Sequence, residues 1–112
     1  MIGTHVFKDV LIEGLDDWVP IDHLIWAARK EMNDAPWQEF FTELLGFLLE
    51  NGLIQIGELA EEGFSPWKGE VGEIVQLVVD DLEKLSWKPM LGSRAWMADT
   101  AAGKDLARTL TY

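Results

Sequence analysis

Between Pro36 and Leu59 the chain reads PWQEFFTELLGFLLENGLIQIGEL. Apolar residues fall at Trp37, Phe40, Phe41, Leu44, Leu45, Leu48 and Leu49, alternating steps of three and one that place them on one side of a helix. Phe47 lies off that stripe, so the apolar arc is wide and the helix is expected at the centre of the fold. Pro36 suits the first helical turn, where its missing N–H costs nothing. Asn51-Gly52 is a stop signal, because glycine takes the left-handed conformation after a helix at little cost. Leu53, Ile54 and Ile56 then predict a brief strand ending near Gly57-Glu58-Leu59. Each large side chain fully buried is worth about 1.5–3 kcal/mol, so this unit is the expected seat of the core.

The remaining elements can be placed around it. Val6 or Phe7, Val10, Leu11 and Leu15 predict a short helix over 4–15. Trp18-Val19-Pro20-Ile21 reads as extended, since valine is restricted by the proline after it. Asp22 is an expected N-cap, and Ile21 with Trp26 occupies the positions of a hydrophobic staple. The helix that follows runs to about Met32, with Leu24, Ile25, Ala28 and Met32 inward and Arg29-Lys30 near its C-terminal end, where cations suit the helix dipole. Asn33-Asp34-Ala35-Pro36 predicts a turn. Residues 60–69 read as a loop carrying Phe64 and Trp67. Val71, Ile74, Val75, Val78, Leu82 and Leu85 predict a long helix from about Glu70 to Trp87. A Pro/Gly turn, a strand over 94–99, and a helix from Ala101 to Leu110 capped by Thr100 complete the chain.

A length of 112 residues fits one domain, 1–112, with a real core. The hydrophobic share of 48% excludes a disordered chain. No apolar run approaches the ~18 residues of a membrane span. The start, MIGTHVFKDVLIEG, lacks the basic opening and apolar core of a signal peptide, so a cytoplasmic location is expected. Without cysteine there is neither a disulfide framework nor a thiolate zinc site.

Charge changes the picture most. Twenty acids oppose nine bases, for a net charge of −11. Residues 31–67 contain no lysine or arginine, while they hold Glu31, Asp34, Glu39, Glu43, Glu50, Glu58, Glu61 and Glu62. Such a surface repels nucleic acid and anionic membranes and favours basic partners, although solubility alone is the commoner use of acidic composition.

The order of elements carries a family resemblance. A helix ending in Asn51-Gly52-Leu53-Ile54 resembles the third helix of winged-helix proteins entering the first strand of the wing. Trp96-Met97-Ala98-Asp99-Thr100-Ala101-Ala102-Gly103-Lys104-Asp105-Leu106-Ala107 is similar to the returning strand that leads into their last helix. The resemblance implies an α+β, mainly helical domain of four to five helices with a small antiparallel sheet. Residues 60–93, with a whole helix, then form an insertion where that family has a wing tip. It also implies that residues 36–51 would be the DNA-reading helix, and the cation-free window argues against that use, because phosphate contacts need donors, preferably cationic.

Catalytic signals are weak. His5 and His23 are the only histidines, and Asp16, Asp17, Asp22 and His23 have no zinc-type spacing. Asp80 and Asp81 are adjacent on a helix and diverge by about 100°, so they do not form a carboxylate dyad. Gly103 opens a helix without a nucleotide-binding pattern around it. No enzyme activity, metal or cofactor is expected.

Six tryptophans are many for this length. Trp26 and Trp37 lie on helix stripes and are expected in the core; Phe64, Trp67, Trp87 and Trp96 flank loops, where they either close the core or anchor an interface. The expected function is an acidic, non-enzymatic protein-interaction module. Bacterial immunity proteins and antitoxins that neutralise nuclease toxins are similar in size and charge. That similarity implies a basic, toxin-like partner occluded by Glu39, Glu43, Glu50, Glu58, Glu61 and Glu62 with Phe64 and Trp67, the chain itself being a monomer or homodimer. The runner-up reading is a winged-helix transcription regulator, and a third is a structural subunit of a larger assembly.

Overall fold

Five α-helices and a four-stranded antiparallel sheet make up residues 2–111, the part of the chain that the computed structural model describes. The order is α1 (Thr4–Glu13), β1 (Val19–Pro20), α2 (Ile21–Glu31), α3 (Gln38–Glu50), β2 (Ile54–Ala60), β3 (Gly63–Pro66), α4 (Val71–Lys84), a single 3-10 turn (Pro89–Leu91), β4 (Trp96–Asp99) and α5 (Ala101–Leu110). The α+β class, the helix count and the small antiparallel sheet agree with the sequence reading.

α3 lies at the centre, as its wide apolar arc requires. Phe41, Leu44, Leu45 and Leu48 are fully buried, and Trp37, Phe40, Phe47 and Leu49 pack around them. α2 and α4 both lie against this helix. Its end is a Schellman motif: the Leu53 N–H donates to the Leu48 carbonyl (3.0 Å) and the Gly52 N–H to the Leu49 carbonyl (3.1 Å), with Gly52 at φ 64°. The chain therefore leaves α3 directly into β2.

The sheet runs β1-β4-β2-β3. Met97 stands opposite Val19 on one side and Ile56 on the other, and these three buried side chains form a row across three strands. Pairing of β1 with β4 and of β4 with β2 is compatible with a winged-helix-like arrangement. Between β2 and β4 the chain inserts β3, α4 and the 3-10 turn.

Several local expectations need correction. Residues 60–69 are not a plain loop: Glu61-Glu62 form a two-residue turn, Gly63 takes φ 116°, and Gly63–Pro66 pair with Gly57–Ala60. Pro66 is tolerated because β3 is the edge strand, where a missing donor faces no neighbour. α2 starts at Ile21 with Pro20 as its N-cap, so Asp22 lies inside the first turn instead of capping it. Trp26 is 54% exposed and forms neither staple nor core. α2 buries Ile21, Leu24, Ile25, Ala27 and Ala28, which leaves Trp26 facing outward under the Lys30 ammonium, 4.9 Å from its ring centre. α4 ends at Lys84, short of Trp87. Pro36 precedes α3, whose N-cap is Trp37.

α5 is fastened to the end of α3. Thr100 caps α5 by accepting from the Gly103 N–H (3.0 Å), while its own hydroxyl donates to the Gly52 carbonyl (2.5 Å). Gly103 lies so close to Leu53 that a methyl group would overlap the Leu53 carbonyl. Gly46, in the middle of α3, has open space where a methyl would go. Two glycine substitutions should therefore act in opposite directions in chemical denaturation. Gly46→Ala should raise stability by about 0.5–1 kcal/mol through helix propensity. Gly103→Ala should lower it by roughly 1–3 kcal/mol, overpacking outweighing the gain in propensity.

Candidate interaction surface

With one side of α3 committed to the core, its outward face carries Glu39, Glu43, Gly46 and Glu50. Steps of four, three and four residues align them along one ridge. The three glutamates are exposed, and among the described residues none has an ion-pair or side-chain hydrogen-bond partner, in contrast to Glu31, Asp34, Glu13, Asp105 and Glu58. Glu39 and Glu43 repel each other by about 0.2–0.5 kcal/mol at this spacing. Glu50 sits at the C-terminal end of the helix, where the dipole disfavours an anion. The helix thus carries small local costs that no ion pair among the described residues offsets.

Glu61 and Glu62 form the exposed tip of the β2–β3 hairpin, also without partners among the described residues. Glu58 behaves differently. It is half-buried, accepts a hydrogen bond from Trp67 Nε1 (3.0 Å) and lies 3.8 Å from Arg94. The Trp67 backbone N–H donates to the Ile56 carbonyl at 2.8 Å, and its side chain packs against the core. Phe64 is half-buried and stacks with Trp18, ring centres 6.3 Å apart. Both loop aromatics therefore act first as covers of the sheet. Trp87 meets Trp37 and Phe41 edge-on at 5.4 and 5.6 Å. The exposed tryptophans are instead Trp18 and Trp26. For Trp26 a signal was present: a residue directly after Ile25 turns about 100° away from a stripe defined by Leu24, Ile25 and Ala28.

The histidines are engaged by carboxylates: His23 Nδ1 pairs with Glu13 of α1, and His5 Nε2 lies 3.0 Å from Glu31. His23 and Glu13 line a cleft of about 350 Å³ between α1 and α2, floored by Val6, Val10 and Ala27. No group of three ligating side chains is placed to hold a metal ion among the described residues. Nor is any described helix long and apolar enough to cross a membrane.

Asp99, at the end of β4, carries a buried Oδ2 without a hydrogen-bond partner among the described residues and abuts Gly14. Burial raises its pKa to about 6 from 3.8, and the Lys104 charge opposes the shift. The folded state thus holds this proton more tightly than the unfolded one. Its contribution favours folding below about pH 4 and is lost as the pH rises to about 6, beyond which the carboxylate costs on the order of 1–3 kcal/mol. Asp99→Asn should therefore be more stable than the natural chain in denaturation at pH 7.5. The difference should shrink steadily as the pH is lowered through 6 toward 4.

No family model matches the chain, and neither a curated protein nor a solved structure matches it.

Proposed function

We propose that this chain is an acidic, non-enzymatic protein-interaction module, most concretely an immunity- or antitoxin-type inhibitor that occludes a basic, nuclease-like toxin. The observation that carries the reading is the row Glu39, Glu43 and Glu50: exposed carboxylates, unpaired among the described residues, on the outward face of the central helix, within a stretch 31–67 that contains no lysine or arginine. A nuclease presents cations to the phosphates of its substrate. A rigid carboxylate row can take the place of those phosphates, and the net charge of −11 steers the encounter. Gly46 leaves the backbone of α3 accessible between Glu43 and Glu50, so a partner side chain can approach closely there. Glu58, Phe64 and Trp67 hold the β2–β3 hairpin, with Glu61-Glu62 at its tip, to the sheet.

The second reading is a winged-helix DNA-binding regulator, favoured by the strand order β1-β4-β2 and by the position of α3 directly before β2. Two features weigh against it. The helix that would enter the major groove presents only carboxylates and neutral groups, so counterion release supplies no affinity. In addition, the chain inserts β3, α4 and the 3-10 turn between β2 and β4, where a winged-helix protein has only a wing tip.

A pull-down from the native cell, followed by identification of the recovered proteins, should return a basic protein. Glu39→Lys/Glu43→Lys and Glu61→Lys/Glu62→Lys should each weaken its binding at least about tenfold, the equivalent of ~1.4 kcal/mol, without loss of folding. In gel shifts with genomic fragments the chain should show no retention. Retention at low salt, or binding of the basic protein indifferent to both charge reversals, would favour the regulator or a different face.

A further inference from the structure

The turns that leave α2 and α4 hold four residues in left-handed backbone conformation: Asn33 (φ 54°), Asp34 (60°), Ser86 (55°) and Trp87 (60°). Asn and Asp adopt it readily, but a bulky residue such as tryptophan is an outlier there. Such a conformation costs on the order of 1–3 kcal/mol and persists where the surroundings over-determine it. At Trp87 they do: its N–H donates to the Leu82 carbonyl at 2.7 Å and its ring is wedged against Trp37 and Phe41. The strained turn directs the next residues outward. Met90 is 79% exposed and Leu91 63%.

Met90 and Trp26 both line an open cleft of about 750 Å³ between α2 and the 3-10 turn, together with Trp87 and Pro89. Arg29, Lys30 and Lys88 line it, against Asp22 and Asp34. Arg29 is already bound to Asp34 at 2.8 Å. Lys30 lies over the Trp26 ring, and neither it nor Lys88 pairs with a carboxylate among the described residues. With three cations against Asp22 and Asp34, the cleft carries a local excess of one positive charge on a chain of net charge −11. Large apolar side chains set in water beside unpaired cations mark an interaction site.

We propose that this cleft docks an acidic amphipathic segment of a partner protein, with a large apolar side chain seated between Trp26, Trp87 and Met90 and carboxylates meeting Lys30 and Lys88. Charge complementarity selects this occupant. A basic segment would meet cations. A nucleic acid would extend beyond the cleft onto acidic surface, whereas a short acidic segment can set its carboxylates at Lys30 and Lys88 within it. Methionine suits the role, because its flexible thioether adapts to the side chain that enters. The site does not involve Glu39, Glu43 or Glu50 and stands apart from the role proposed for them.

The test is a titration of the isotopically labelled full chain, followed by amide NMR, with an amphipathic helical peptide of leucine and glutamate about 16 residues long, roughly four turns. A second peptide carries lysine in place of each glutamate. The glutamate peptide should shift amides of residues 22–34 and 86–93 saturably, with a Kd below about 1 mM. Lys30→Glu/Lys88→Glu, and separately Met90→Ser, should weaken this at least about tenfold while the rest of the spectrum stays folded. The lysine peptide should leave those amides unmoved. Absence of saturable shifts there up to about 1 mM, or equal binding of both peptides at the cleft, would overturn the proposal. So would dilution-dependent shifts of the same amides without peptide, which would assign the cleft to a second copy of this chain.

Discussion

Burial of one side of α3 is the constraint on which the rest of the molecule depends. Phe41, Leu44, Leu45 and Leu48 have no exposed surface, and α2 and α4 settle against this helix. The Schellman motif at Asn51-Gly52-Leu53 turns the same helix into β2, and Thr100 and Gly103 fasten α5 to that turn. Because the inward side is fixed, the outward side is fixed too. Glu39, Glu43, Gly46 and Glu50 are what remains to meet solvent or a partner.

That outward row makes electrostatic sense as a binding face and little sense as a stabilising one. Three acids have lysine or arginine partners, Asp34 with Arg29, Glu58 with Arg94 and Asp105 with Arg108, while most of the others have no ion pair among the described residues. The α3 row has none among the described residues, includes a like-charged pair one turn apart, and places an anion at the negative end of the dipole. It also contains a helix-interior glycine whose missing side chain no packing requires. Each effect is a few tenths of a kcal/mol to about one, small enough for a folded domain to tolerate and consistent with a surface shaped by what it meets.

The fold was legible where periodicity was strong. α3 and α4 announced themselves by apolar stripes, and Asn51-Gly52 marked its turn through the left-handed conformation that glycine supplies. The insertion between β2 and β4 was also visible, from the helix pattern of 70–87. The hairpin was not, because Phe64-Ser65-Pro66 contains a proline and too few alternating positions to read as a strand; its pairing is set by register with β2. Trp26 departs from the expected core position because its angle from the stripe of Leu24, Ile25 and Ala28, rather than its hydrophobicity, decides which way it faces. Glu58 read as one more exposed acid, since nothing local reveals that Trp67 folds back to hydrogen-bond it. The cleft beside Met90 had no sequence signal at all: it arises from left-handed turns at Asp34 and Trp87, which no glycine announces.

On the proposed reading, the outward carboxylates of α3 take the place of phosphates on a basic protein. The most direct measurement is the affinity of the chain for the basic protein recovered from its native cell, determined across a range of ionic strength for the natural sequence and for Glu39→Gln/Glu43→Gln. A steep fall of affinity with salt, made shallower by the neutral variant, is the result the account predicts. An affinity insensitive to salt, or a salt dependence identical in the two proteins, would contradict it.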